Sequence, residues 1–304
     1  MLELTTEFKE KVLTALQESR KNYDGSDAAF SRKNGISSTI YSRLKGGERE
    51  RLLSDTQWLS LGRILGVTLN ERAWKIAKTD VFCMIEEDIL FCKEFSKGKI
   101  CVDDCGIGKT VAAKYLARTL KNVFYVDAKQ AKTKQLFIRL IAKTIGIDEQ
   151  GKYSDVKNNL KYYLQILEKP LIIIDDAGYL EYSAHMELLE LTDATENICG
   201  WYQIGDDSLQ AKIEHGINSK KVGYRAMFSR FSKRYTTLVP VERTEKVNFY
   251  KKLLRQVLAA NADKSVNIDS LVMKCMRSDN NAVYGDLRRA ESLLILNSEP
   301  DGTR

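Results

Sequence analysis

The chain has 304 residues, a net charge of +7 and 43% hydrophobic residues. That length suits about two domains, and the composition excludes wholesale disorder. Only three prolines occur (Pro170, Pro240, Pro300), which excludes Pro-rich linkers, and no apolar run approaches the ~18 residues that a membrane span needs. Met1-Leu2-Glu3-Leu4 lacks the basic-then-apolar pattern of a signal peptide, so a soluble, cytoplasmic protein is expected.

Residues 1–75 predict a bundle of short helices. Phe8, Val12, Leu13 and Leu16 have helical spacing, and Asn22-Tyr23-Asp24-Gly25 breaks it. Ser26-Asp27 caps a second helix over Ala28, Ala29 and Phe30. After the turn Asn34-Gly35-Ile36-Ser37, a third helix is capped by Ser37 or Ser38, runs through Tyr41, Ser42 and Leu44, and ends at Gly46-Gly47. A fourth, over Trp58, Leu61, Ile64 and Leu65, ends at Gly66. The stretch Asp27–Lys45 fits the helix-turn-helix plan. Its second helix offers Ser37, Ser38, Thr39, Ser42, Arg43 and Lys45 to the phosphates or base edges of DNA. A helical protein-docking module is the competing reading.

After a helical stretch from Val81 to Phe95 the pattern changes. Ile100–Val102, Val123–Val126, Leu171–Ile174 and Trp201–Ile204 are short apolar runs. They alternate with amphipathic segments at Lys109–Leu120, Lys134–Ile145 and Val156–Leu167, which predicts an α/β domain with a largely parallel sheet. Tyr235–Val239 is a fifth candidate strand, and 244–260, 267–276 and 283–297 read as helices. The six cysteines form no C-x-x-C pair and only two histidines exist, so reduced thiols packed as small hydrophobes are favoured over a zinc site.

Asp103-Asp104-Cys105-Gly106-Ile107-Gly108-Lys109-Thr110 lies between a predicted strand and a predicted helix. That context makes Gly-Lys-Thr a phosphate loop. Backbone N–H groups at the helix start would hold the β-phosphate, Lys109 would reach the β/γ-phosphates, and the Thr110 hydroxyl would face Mg2+. The usual pattern begins with glycine where this chain has Asp103. A carboxylate there would crowd the turn and bring negative charge near phosphate, so a degenerate loop is the alternative. Leu171–Ile174 ends in Asp175-Asp176. Asp175 is placed to hold Mg2+ and Asp176 to polarise the attacking water.

With these residues the chain resembles an AAA+ ATPase over roughly residues 76–297. The resemblance implies an AAA+ P-loop NTPase core with a parallel sheet and a C-terminal helical lid. It further implies that Asp104, Cys105, Gly106, Ile107, Gly108, Lys109, Thr110 and Val111 contact ATP. Asp206, after Ile204-Gly205, stands at the sensor 1 position. Arg230, in Phe228-Ser229-Arg230-Phe231, stands where the family places an arginine finger, with Arg234 close enough to be confused with it. Gly285-Asp286-Leu287-Arg288-Arg289 resembles the sensor 2 motif, helix phase aiming one of Arg288 and Arg289 at the nucleotide. Many relatives have glutamate where Asp176 stands, so the shorter side chain implies slow hydrolysis, a timer more than a motor. A finger serving the neighbouring subunit implies a ring or filament.

The expected organisation is a small all-α helix-turn-helix domain at 1–75, the nucleotide-binding core at 76–240 and the lid at 241–304. That order is similar to the phage Mu transposition B family of transposon target-selection ATPases, which assemble on double-stranded DNA with ATP and recruit or activate a transposase. A helicase loader or replication initiator, and a nucleotide-responsive DNA-binding regulator, are the alternatives.

The charge is local. Residues 76–209 carry 17 basic and 21 acidic groups, whereas 210–240 carry 7 and 1. Gly216, Asn218, Ser219 and Gly223 suggest a flexible loop in this basic segment. Repeated around an assembly, it would track the DNA backbone without reading sequence, through Lys212, Lys220, Lys221 and Arg225. A solvated basic loop is the plainer reading.

Overall fold

The computed structural model describes residues 4–48, 52–67, 74–263, 266–279 and 282–298. The opening Met1-Leu2-Glu3 and Pro300 lie outside them.

Four helices come first: α1 (Thr6–Lys21), α2 (Asp27–Lys33), α3 (Ser38–Lys45) and α4 (Asp55–Leu65). The side chains of Thr5, Ser26, Ser37 and Ser54 each accept a backbone N–H from the first turn, which satisfies donors a helix start leaves unpaired. The central sheet contains β1 (Gly98–Val102), β2 (Val123–Asp127), β3 (Leu171–Asp175), β4 (Gly200–Gly205) and β5 (Tyr235–Thr236). All pairings are parallel, in the order β2-β3-β4-β1-β5. Between the strands run α5 (Asp80–Phe95, before β1), α6 (Lys109–Thr119), α7 (Lys134–Ile145), α8 (Tyr153–Ile166), α9 (Tyr182–Ala194), α10 (Asp207–Asn218) and α11 (Tyr224–Arg230). The chain continues through α12 (Arg243–Asn261), α13 (Ile268–Cys275), β6 (Met276–Asp279), β7 (Ala282–Gly285) and α14 (Leu287–Ser298).

Alternate strand residues face opposite sides of the sheet. Ile100, Phe124, Val126, Ile172, Ile174 and Trp201 share a core with α7, α8, α9 and the four N-terminal helices. Cys101, Leu171, Ile173, Tyr202 and Ile204 share the other with α5, α6 and the start of α12. Strands buried on both faces explain the unbroken apolar runs in the sequence. The N-terminal bundle is fastened to the β2 edge. Tyr23 donates from its hydroxyl to the Ile145 carbonyl at 2.6 Å, Asn22 donates to the Arg118 carbonyl, and Lys121 pairs with Asp24 at 2.6 Å.

Three segment expectations need correction. β5 stops at Thr236 instead of Val239, because the Leu238 and Val239 N–H groups donate to the Asp103 carboxylate and not to β1. The loop expected within 210–240 narrows to the turn 219–223 between α10 and α11, and Gly216 lies inside α10 against the Tyr224 ring. The helices expected at 267–276 and 283–297 are separated by the antiparallel pair β6–β7, so α14 begins only at Leu287.

Candidate nucleotide site

Lys109, Thr110, Asp175 and Asp176, from two segments more than sixty residues apart, meet in one cleft of about 380 Å³, a size usual for a ligand site. β1 delivers the loop 103–108 and β3, separated from it by β4, delivers the two carboxylates at the same end of the sheet, where open parallel sheets bind ligands. Gly106 and Gly108 have φ of 76° and 101°, values that favour glycine. A Cβ on Gly106 would stand 2.5 Å from Asp286 Oδ1. Lys109 donates two of its three N–H groups to the carbonyls of Asp103 and Asp104, at 2.6 and 2.8 Å. Ile107 is buried beneath the loop, while Cys105 and Val111 are exposed.

Asp103 does not crowd the loop, as the degenerate-loop alternative would require it to. Its side chain turns away: Oδ1 accepts the Asp104 N–H and Oδ2 those of Leu238 and Val239. Asp104 is also turned outward, accepting from the Tyr250 hydroxyl at 2.5 Å and pairing with Lys246 at 2.8 Å. Burial works to raise the pKa of Asp104, but Lys246 and Tyr250 overcome it and hold the carboxyl below its ordinary value.

Asp175 is almost wholly buried. It accepts from the Tyr125 hydroxyl at 2.7 Å and from the Asp176 N–H at 3.0 Å. Burial pushes its pKa up, although the Tyr125 and Thr110 hydroxyls act to lower it. A desolvated carboxylate touching a hydroxyl is a hard-oxygen pair suited to Mg2+, whose charge would favour the ionised form. Asp176 has φ 53° and ψ 38°, a left-handed conformation that aspartate tolerates. Its Oδ2 pairs with Lys129 at 2.7 Å. The Lys129 ammonium also lies 5.1 Å from the Tyr179 ring centre, and Lys132 lies 5.4 Å from it.

Asp206 caps α10, accepting the Ser208 N–H at 3.1 Å, and faces Cys105 Sγ at 3.7 Å. The Ser208 hydroxyl holds its pKa low. Burial, aided by Asp206, pushes the Cys105 thiol up, so it stands as a neutral thiol. The two late arginines part company: Arg288 lines the cleft, whereas Arg289 donates to the Lys274 carbonyl at 3.1 Å. Arg230 and Arg234 do not line the cleft. A Cβ on Gly98 would stand 2.7 Å from the Arg230 carbonyl. Arg230 therefore sits by the start of β1, about 13 Å of strand from the phosphate loop. Its guanidinium pairs with Asp193 at 2.5 Å.

Sequence reasoning missed the apolar wall of the cleft: Trp74, Ile76, Phe82, Val257 and Leu287. It also missed Tyr125 and Lys129, whose positions on and after β2 carry no signal until β2 pairs with β3.

The DNA-contact candidates divide. Lys212 is removed from them: its ammonium donates to the carbonyls of Gly178 and Leu180, under partial burial that lowers its pKa. Lys220, Lys221 and Arg225 are exposed around a tight turn. Lys221 lies 4.0 Å from the Tyr182 ring centre, and the Tyr182 hydroxyl donates to the Val222 carbonyl. On α3, Ser38, Arg43 and Lys45 are exposed. Arg43 pairs with Glu48 and Lys45 with Asp27, exposed pairs of little energetic weight.

Residues 100–213 match the family model of an AAA domain. No curated protein sequence matches the chain. Among solved structures, similarity extends to the Thermotoga maritima RuvB Holliday junction branch migration motor (TM-score 0.39, 14% identity, 71% of this chain and 60% of that one). NtrX from Brucella abortus in complex with ATP has a TM-score of 0.45 at 12% identity, over 95% and 72% of the chains. Drosophila ORC bound to GC-rich DNA and Cdc6 has 0.33 at 10%, over 72% and 94%. The chain thus spans about 60% of the length of RuvB. Residues 100–213 thus resemble an AAA domain, within an α/β fold whose parallel sheet runs β2-β3-β4-β1-β5.

Proposed function

We propose that this chain is an ATP-dependent DNA-binding AAA+ protein that hydrolyses ATP slowly, assembles on duplex DNA and, as a target-selection ATPase similar to the phage Mu transposition B family, recruits or activates a transposase. The carrying observation is the convergence of Lys109, Thr110, Asp175 and Asp176 on one cleft. The loop amides and the third Lys109 donor would bind phosphate, and the Trp74, Ile76 and Phe82 wall would take the base. Thr110 and Asp175 would hold Mg2+, which when bound screens phosphate charge. Asp176 would orient and polarise the attacking water, and Arg288 would neutralise phosphate from the lid side.

Arg230 stands too far from its own phosphate loop to serve it, which supports a finger acting on a neighbouring copy, with Arg234 as its alternative. Lys220, Lys221 and Arg225 surround an exposed turn and would follow DNA phosphates. The division at residues 75 and 240 and the DNA role of α3 belong to this proposal. Its test is sedimentation with duplex DNA with and without ATP. The wild type should assemble only with ATP and Lys109→Ala should not; assembly indifferent to ATP would refute the reading, and stimulation of a transposase by the assembled form tests its finer part.

A further inference from the structure

The phosphate loop is held by the C-terminal segment at three places. Asp103 is 6% exposed, and its carboxylate accepts the N–H groups of Leu238 at 2.7 Å and Val239 at 3.2 Å. Those residues lead directly into α12, which carries Lys246 and Tyr250, both bonded to Asp104. Two residues further on, the Gly106 carbonyl accepts the Leu287 N–H at 3.0 Å, and Asp286 fills the space beside Gly106. Both the entrance to α12 and the start of α14 are therefore tied to the loop.

The same residues hold the ammonium. The carbonyls of Asp103 and Asp104 bind Lys109 while their side chains bind the segment 238–250. Glycine at 103 would offer no acceptor, leaving the Leu238 and Val239 amides without this partner, at a cost where backbone donors are buried.

We infer that Asp103 and Asp104 are positioning residues that couple occupancy of the phosphate loop to the placement of the lid. The aspartate at 103 is thus a coupling element of a working loop. This rests on the nucleotide-binding reading above. A phosphate that draws the Lys109 ammonium changes the bonding of both carbonyls, and the attached carboxylates carry the shift to Leu238, Val239 and α12. Asp104 does so without adding charge to the cradle, since Lys246 neutralises it.

Amide hydrogen exchange of the full chain, with and without the magnesium complex of adenylyl imidodiphosphate, tests this. In the wild type the nucleotide should slow exchange over residues 238–250 by roughly tenfold. Asp103→Gly keeps the loop amides and Lys109, so nucleotide affinity should stay within about threefold, while the slowing at 238–250 disappears. Tyr250→Phe keeps the ring, drops the hydroxyl on Asp104, and should blunt slowing in α12 while sparing Leu238 and Val239; it decides the matter if Asp103→Gly does not fold. Wild-type slowing retained in the variants that bind nucleotide overturns the coupling alone, as does loss of binding in a folded Asp103→Gly. A wild type that binds no nucleotide overturns the coupling and the nucleotide reading together.

Discussion

Lys129→Ala should speed ATP hydrolysis. The lysine bonds Asp176 Oδ2 at 2.7 Å, and that pairing raises the pKa of Lys129, so the carboxylate proposed to polarise water is engaged elsewhere. The two side chains are 48% and 35% exposed. Solvent therefore screens the pair, and exposed pairs contribute about 0.2–1 kcal/mol. A kilocalorie corresponds to a factor of about five in population. Removing the ammonium should then raise kcat by up to about fivefold, leave KM for ATP unchanged, and lower stability by less than about 1 kcal/mol. Steady-state phosphate release at low and moderate salt is the assay. Added salt should weaken the same pair in the wild type and narrow the difference between the two proteins. A fall in kcat on Lys129→Ala would refute the argument, because it would make the lysine a contributor to the transition state instead of a restraint on Asp176.

Three further outcomes follow from other parts of the structure. Lys220→Ala with Lys221→Ala should weaken duplex binding and reduce its salt slope by about two. Lys212→Ala should leave the slope unchanged and lower stability, since its ammonium satisfies the carbonyls of Gly178 and Leu180; equal effects of the two changes on the slope would contradict the assignment. His185 lies fully buried on α9, near Lys212 of α10 and the Tyr224 ring of α11. Burial, aided by Lys212, holds its pKa at about 3, against an ordinary 6.5. Between those values the unfolded chain binds a proton that the native chain does not. The associated stability is therefore complete above pH 6.5 and is lost as pH falls toward 3, by up to about 1.4 kcal/mol per unit. Urea unfolding at pH 7 and pH 5 should show a slope for the wild type that is smaller by about one proton in His185→Phe, and identical slopes would count against it.

Much of this architecture is local, and so was legible along the chain. Ser26, Ser37 and Gly66 mark helix boundaries because capping involves only three or four neighbouring residues. The four long strands are legible because burial on both faces demands unbroken apolar runs. Gly-Lys-Thr after a strand and Asp175-Asp176 at the end of another name both halves of the candidate nucleotide site for the same reason: each half is one short segment with its own chemistry. What emerges only on folding is what partners a side chain across the sheet. Asp103 reads as a lesion until β5 brings the Leu238 and Val239 amides to it. Lys212 reads as a DNA contact until α10 lays it over the carbonyls of Gly178 and Leu180. Lys129 reads as nothing until β2 and β3 lie side by side and place it on Asp176. Hydrogen bonds and ion pairs depend on a few ångströms between groups that lie tens of residues apart, and that separation is set by packing, which no local pattern encodes.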